Sequence, residues 1–168
     1  MDSTSALRPQ CNILLLKEDS SECTLIRMVL EGAEMRLCQA DNIETAMRFV
    51  QPSYPDVILV DWDIDGIDGR LLLTELTSWC TALKRVPAMI LTDRVVTQKT
   101  VNSLLREGYK WILRKPIVMT SLPKLISQTI NDAPAPRLQG HAISGNYRLL
   151  ECGQTASMAF MPAVGANG

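Results

Sequence analysis

The stretch VILVDWDIDGIDG, Val57 to Gly69, decides the fold. Four apolar residues in a row stop at Asp61, and three more aspartates follow within seven positions. A run so short and continuously apolar, with no alternation, reads as a strand buried on both faces. Asp65-Gly66 and Asp68-Gly69 read as turn pairs, because Gly tolerates positive φ and Asp bonds its own backbone. No turn needs Asp61, which stands at the strand's end.

Working outward, the same signature recurs at Ile13-Leu14-Leu15-Leu16, Met89-Ile90-Leu91 and Trp111-Ile112-Leu113. Met35 to Ala40 mixes Arg36 and Gln39 with apolar residues, as an edge strand would. Between the runs the period changes to three or four. Leu25, Met28 and Val29 mark one helical face, and Ile43, Ala46, Met47 and Val50 a second. Leu72, Leu76 and Trp79 mark a third, Val101, Leu104 and Leu105 a fourth, and Leu122, Leu125, Ile126 and Ile130 a fifth. Ser20 or Ser21, Asn42 and Ser121 are the expected N-caps, and Gly32 and Gly108 the expected stops of the first and fourth helices. Strand and helix alternating in this way give an α/β protein, a parallel sheet covered by helices on both faces.

Composition agrees. The chain has 168 residues, 46% of them hydrophobic, and a formal charge of −1. It is long enough for one domain with a real core. Without a basic run or a long apolar stretch it carries no footprint for nucleic acid or for crossing a membrane. MDSTSALRPQ lacks the apolar region of a signal peptide. The five scattered cysteines form no C-x-x-C and read as thiols in a reducing, cytoplasmic setting. The single histidine, His141, excludes a site needing several imidazoles. Trp62, Trp79 and Trp111 read as packing residues. The expected organisation is an extension over 1–10, a folded domain over 11–131, and a flexible tail over 132–168. That tail holds five of the nine glycines and the apolar patch Tyr147-Arg148-Leu149-Leu150.

The residues just past each run carry the chemistry. Lys17, Glu18 and Asp19 succeed the first, Asp61 the third, Thr92 the fourth, and Arg114, Lys115 and Pro116 the last. A doubly wound sheet gathers these strand ends on one rim, where such folds bind ligands. A carboxylate there can attack a phosphoryl group to give an acyl phosphate. Cations and a hydroxyl donor would offset the charge.

The chain from Cys11 to Asn131 resembles the receiver domain of two-component response regulators. VILVDWDIDGIDG matches the phosphoacceptor strand and its loop, AMILT the strand ending in the switch hydroxyl, and ILRKPI the strand ending in Lys-Pro. The resemblance implies a flavodoxin-like, five-stranded sheet of order 2-1-3-4-5. It implies that Asp61 is the phosphoacceptor, Thr92 the switch hydroxyl and Lys115 the group that stabilises the phosphoryl. Mg²⁺ would be held by Glu18, by Asp61 and by the backbone carbonyl of Asp63, with Asp19 a further candidate. Lys115-Pro116 would be cis. The partners implied are a histidine kinase or histidine phosphotransfer protein, and a downstream protein on the face of the fourth helix, last strand and fifth helix, around Val101 to Ile130. Homodimerisation is compatible with it. The protein would be a stand-alone cytoplasmic signalling switch rather than an enzyme, turning over little beyond slow self-dephosphorylation.

Four positions depart from that pattern. Lys17 stands where the first of two acids is usual, which should weaken Mg²⁺ binding. Asp93 replaces a small residue, Ile112 the switch aromatic, and Asp65 a loop proline. These departures support an alternative, a degenerate receiver acting as a phosphorylation-independent adaptor. A third reading is a phosphatase similar to the haloacid dehalogenases, with Asp63 as general acid. It fits less well, because their nucleophile lies on the first strand and their further acids follow the lysine. A calcium loop starting at Asp61 would need Glu where Leu72 stands.

Overall fold

The computed structural model describes residues 10–132, together with two extended segments, 147–151 and 158–162. Five parallel strands form the sheet: β1 (Asn12–Leu16), β2 (Arg36–Ala40), β3 (Val57–Asp61), β6 (Ala88–Thr92) and β7 (Tyr109–Arg114), in the order β2-β1-β3-β6-β7. This is the expected 2-1-3-4-5 arrangement, and the Lys115-Pro116 bond is cis. β4 (Asp63–Ile64) and β5 (Ile67–Asp68) form a minute antiparallel ribbon after β3. The helices are α1 (Ser21–Gly32), α2 (Ile43–Val50), α3 (Gly69–Trp79), α4 (Gln98–Arg106) and α5 (Leu122–Asn131).

Each strand feeds two cores because its side chains alternate between faces. Leu14, Leu16, Ile58, Val60, Ile90 and Ile112 pack with α2, α3 and α4. Ile13, Leu15, Leu59, Leu91, Trp111 and Leu113 pack with α1 and α5. This is why the runs lack alternation in sequence: both faces are dry. The absence of a free face also fixes the register, since a one-residue slip would exchange the two cores.

Three sequence expectations need correction. The buried face of α1 is Cys23, Ile26 and Leu30, whereas Leu25 and Met28 are exposed. Two overlapping apolar series run along this helix, and spacing alone does not rank them. On α3 the buried series is Leu73, Leu76 and Thr77. Trp79, at the helix's last residue, is 70% exposed rather than packed. Asp68-Gly69 is not a turn but a helix start: Asp68 caps α3 by accepting from the Arg70 backbone N–H at 2.9 Å. Asp65-Gly66 is the turn expected, with φ of 51° and 78° closing the β4–β5 ribbon.

Asn42 caps α2 through the Thr45 backbone N–H. Ser20 and Ser121 precede their helices without a side-chain cap bond. Gly108, at φ 95°, lets the chain leave α4 for β7. The reading of 132–168 as a flexible tail meets two strands there, β8 (Tyr147–Glu151) and β9 (Met158–Pro162). They pair antiparallel, with β9 beside β7. Residues 1–9 and the rest of the tail, His141 included, lie outside the described residues.

Candidate functional site

Alternation places the site. The series 13, 15 on β1 with 17 just past its end, 57, 59, 61 on β3, and 111, 113 on β7 with 115 just past its end run along the face of α1 and α5. Extended by one step past the apolar residues, each series ends in a charged side chain: Lys17, Asp61 and Lys115. Asp61 is 2% exposed and Lys17 4%. Charges so deeply buried must be paired.

They are paired in a closed ring. The ammoniums of Lys17 and Lys115 both donate to Asp61 Oδ2, that of Lys115 at 2.5 Å. Both also meet one oxygen of Glu22, Oε2, at 3.1 Å from Lys17 and 3.3 Å from Lys115. Two cations and two anions therefore alternate around four atoms. Burial opposes the charge on Lys17, but its hydrogen bonds to Asp61 and Glu22 outweigh this and raise its pKa above the usual 10.5. The other oxygen of Asp61, Oδ1, accepts the Asp63 backbone N–H at a long 3.3 Å.

Thr92 ends β6, next to β3, and is fully buried. Its Oγ1 accepts the Arg94 backbone N–H at 3.0 Å. Its backbone carbonyl accepts the Lys115 N–H at 2.7 Å, joining the hydroxyl's strand to the lysine's. Asp93 is exposed at the mouth. Arg94 pairs with Asp63 across that mouth at 3.4 Å, rather than with Asp93. Ile112 lies buried among aliphatic neighbours.

Gly69 fixes the loop's return. Its N–H donates to the Trp62 carbonyl at 2.9 Å, and a Cβ there would lie 1.9 Å from the Asp61 carbonyl oxygen. No side chain fits. Trp62 is buried beside Asp61, and its ring lies 4.6 Å from the Arg70 guanidinium and 5.3 Å from that of Arg94.

The structure brings together Asp61, Lys115 and Thr92 on one rim. At the expected metal position the Lys17 ammonium lies on Asp61. Glu18 is only partly buried and Asp19 is exposed. Of Asp63 the expected donor is the backbone carbonyl; its carboxylate is engaged by the Gly66 N–H and Arg94. Among the described residues no group of three or more His, Cys, Asp or Glu side chains could hold a metal ion. Mg²⁺ requires an octahedron of oxygens, and beside Asp61 an ammonium stands instead. The donor set does not fit a divalent cation. Sequence reasoning missed Glu22. Its signal was indirect: a lysine replacing an acid in a buried rim must find an anion, and the first turn of α1 is within reach.

The sequence model of the response regulator receiver domain matches residues 13–127. The chain belongs to that family. Swarming motility regulation protein RssB of Serratia marcescens is 33% identical over 117 residues, covering 70% of this chain and 50% of that one. Sensor protein GacS of Pseudomonas syringae pv. syringae is 24% identical over 136 residues, covering 78% and 15%. The chain spans half or less of the length of these curated relatives. Among solved structures, the receiver domain of a Pseudomonas aeruginosa sensor histidine kinase is similar at a TM-score of 0.60 and 24% identity. It covers 73% of this chain and 99% of that one, and has magnesium coordinated in its own active-site cleft. A CheY-like receiver from Methanospirillum hungatei gives 0.61 at 14% identity, over 74% and 96%. These structures share the fold. Receiver domains are signalling switches rather than typical enzymes, and the third-strand position of Asp61 agrees with them, not with a phosphatase whose nucleophile lies on the first strand. No helix among the described residues is long and apolar enough to cross a membrane.

Proposed function

We propose that this receiver accepts a phosphoryl group on Asp61 from a histidine kinase or histidine phosphotransfer protein, and passes the signal on by binding another protein. The observation that carries this is the placement of Lys115 on Asp61, 2.5 Å away, with Thr92 on the adjoining strand end. Lys115 neutralises charge on the incoming phosphoryl oxygens, and the Thr92 hydroxyl donates to one of them. That hydroxyl already accepts the Arg94 N–H. Moving it toward a phosphoryl group carries the 93–97 loop with it and shifts α4. The surface of α4, β7 and α5 then differs between the two states. Ile112 has no ring to rotate, so the loop rather than an aromatic switch transmits the change. The protein is not an enzyme in this reading, and its partners are proteins acting in the cytoplasm.

A small phosphoramidate donor tests it. Intact mass should rise by one phosphoryl group in the wild type and not in Asp61→Asn. Failure to modify the wild type, or equal modification of the variant, would sink the proposal.

A second reading has one observation behind it: Lys17 already holds Asp61 in a buried pair. On that reading the domain is an adaptor whose surface does not depend on phosphorylation. An unmodified wild type that still binds its partner is its expected result.

A further inference from the structure

We infer that the Lys17 ammonium is the resident cation of this site, standing in for a divalent metal ion, and that Glu22 occupies the phosphoryl seat until it is displaced. The inference deepens the phosphoacceptor proposal and rests on it for its chemistry, though not for its statement about metal.

The charge balance leads to it. Lys17, Lys115, Asp61 and Glu22 sum to zero as they stand, and all four touch through two nitrogens and two oxygens. A divalent cation added here would leave two positive charges uncompensated in a site where Asp61 and Lys17 are almost wholly buried. Asp61 Oδ2, the oxygen left to ligate it when Oδ1 attacks phosphorus, already receives two N–H donors. A phosphoryl group changes the balance the other way. It raises the charge on Asp61 to about −2, and the two ammoniums are the natural partners for its oxygens. Glu22 Oε2 bridges those same two ammoniums now, as a phosphoryl oxygen would. Its side chain is 24% exposed and sits in the first turn of α1, so it can swing out to water.

The step balances without a metal. Asp61 Oδ1, the oxygen that carries no ammonium, attacks phosphorus. The new O–P bond forms as the donor's P–N bond breaks. The electron pair leaves on nitrogen, which takes a proton from water. Lys17 and Lys115 hold the charge that develops, and Glu22 departs.

Two measurements test this on the full chain. In calorimetric titration with MgCl₂ the wild type should show no binding at millimolar metal, while Lys17→Asp should gain it. Binding by the wild type at lower concentrations overturns the inference, whatever happens to phosphorylation and whether or not the variant folds. In the mass assay with phosphoramidate, wild type should be modified at the same rate in excess EDTA as in MgCl₂. Lys17→Met should lose about a hundredfold in EDTA, the scale of one lost electrostatic contact. Glu22→Gln should react severalfold faster. A wild-type rate that falls about tenfold or more in EDTA overturns the inference while leaving Asp61 as phosphoacceptor. Absence of modification in both buffers instead overturns the phosphoacceptor proposal. A blank calorimetric titration then still supports Lys17 as the resident cation.

Discussion

The two sides of the rim match the receiver pattern to different degrees. On the β6 and β7 side, Thr92 and Lys115 keep the residue types that a receiver uses to hold a phosphoryl group, and the backbone bond between them joins their strands. On the β1 and α1 side, Lys17 stands where the receiver pattern has an acid, and Glu22 pairs with it. The side that would hold a phosphoryl group matches that pattern, and the side that would hold a metal is an ion pair. The lesson concerns charge: one reversal at a buried position forces a second group into the network.

The largest test of this contrast removes one lysine from each side. Lys17→Met leaves Asp61 buried with one partner fewer and Glu22 with a broken bridge. Urea unfolding should show a loss of about 3 kcal/mol, in the range for breaking a buried pair. Lys115→Met should cost less, about 1–2 kcal/mol, since a fifth of that side chain reaches solvent. The reverse order would break the comparison. The same pair can be opened without mutation. Lys17's pKa is raised on folding, so its stabilisation is complete below its unfolded value near 10.5 and is lost as pH climbs through the higher folded value. The urea midpoint should fall above that pH in the wild type, and fall less in Lys17→Met. Asp68 gives the opposite sign at the other extreme. Burial opposes its ionisation, but its hydrogen bonds with Arg70 outweigh this and lower its pKa. That stabilisation is present above pH 3.8 and is lost below it.

How much of this could be read beforehand depended on how many physical constraints each feature obeyed. The strands were plain because residues such as Leu59 and Val60 are buried on opposite faces, leaving no polar position in the run. Strand-end residues followed from the topology, so Asp61, Thr92 and Lys115 could be placed on one rim. The face of α1 was ambiguous because Leu25 and Met28 are as apolar as Ile26 and Leu30, and only packing against β1 and β2 separates them. Trp79 was misjudged because its size suggests burial, yet it stands at a helix end beyond the core. Lys17 was visible as a departure. Its partner was not, because the approach of Glu22 depends on where α1 begins in space. The close return of Gly69 onto Asp61 was invisible for the same reason.

A smaller effect separates the two strand ends on the matching side. Thr92→Val keeps the shape of a fully buried residue and removes the acceptor of the Arg94 N–H. Unfolding should cost about 1 kcal/mol, the worth of one hydrogen bond. Phosphoryl acceptance should survive, because Lys115 and Lys17 remain. Transmission should not: hydrogen exchange in α4 should respond to phosphorylation in the wild type and in Thr92→Ser, and stay unchanged in Thr92→Val. A response retained in the valine variant would remove the hydroxyl from the signal path.

The smallest effect probes the mouth, where the two sides meet across the loop. Arg94 and Asp63 are both about half exposed, and such a pair contributes about 0.5 kcal/mol or less. Arg94→Ala should therefore leave stability within that margin. Its optical effect should be larger than its energetic one, because the guanidinium lies 5.3 Å from the Trp62 ring centre. Trp62 emission should shift in the variant. On the proposed movement of the Thr92 hydroxyl it should also shift on phosphorylation in the wild type, since that hydroxyl accepts the backbone N–H of Arg94 itself. If Arg94→Ala abolishes the phosphorylation-dependent shift while mass still shows the phosphoryl group on Asp61, the loop is the link between the rim and its outer surface. If the shift survives, Trp62 senses Asp61 directly, through the peptide bond the two residues share.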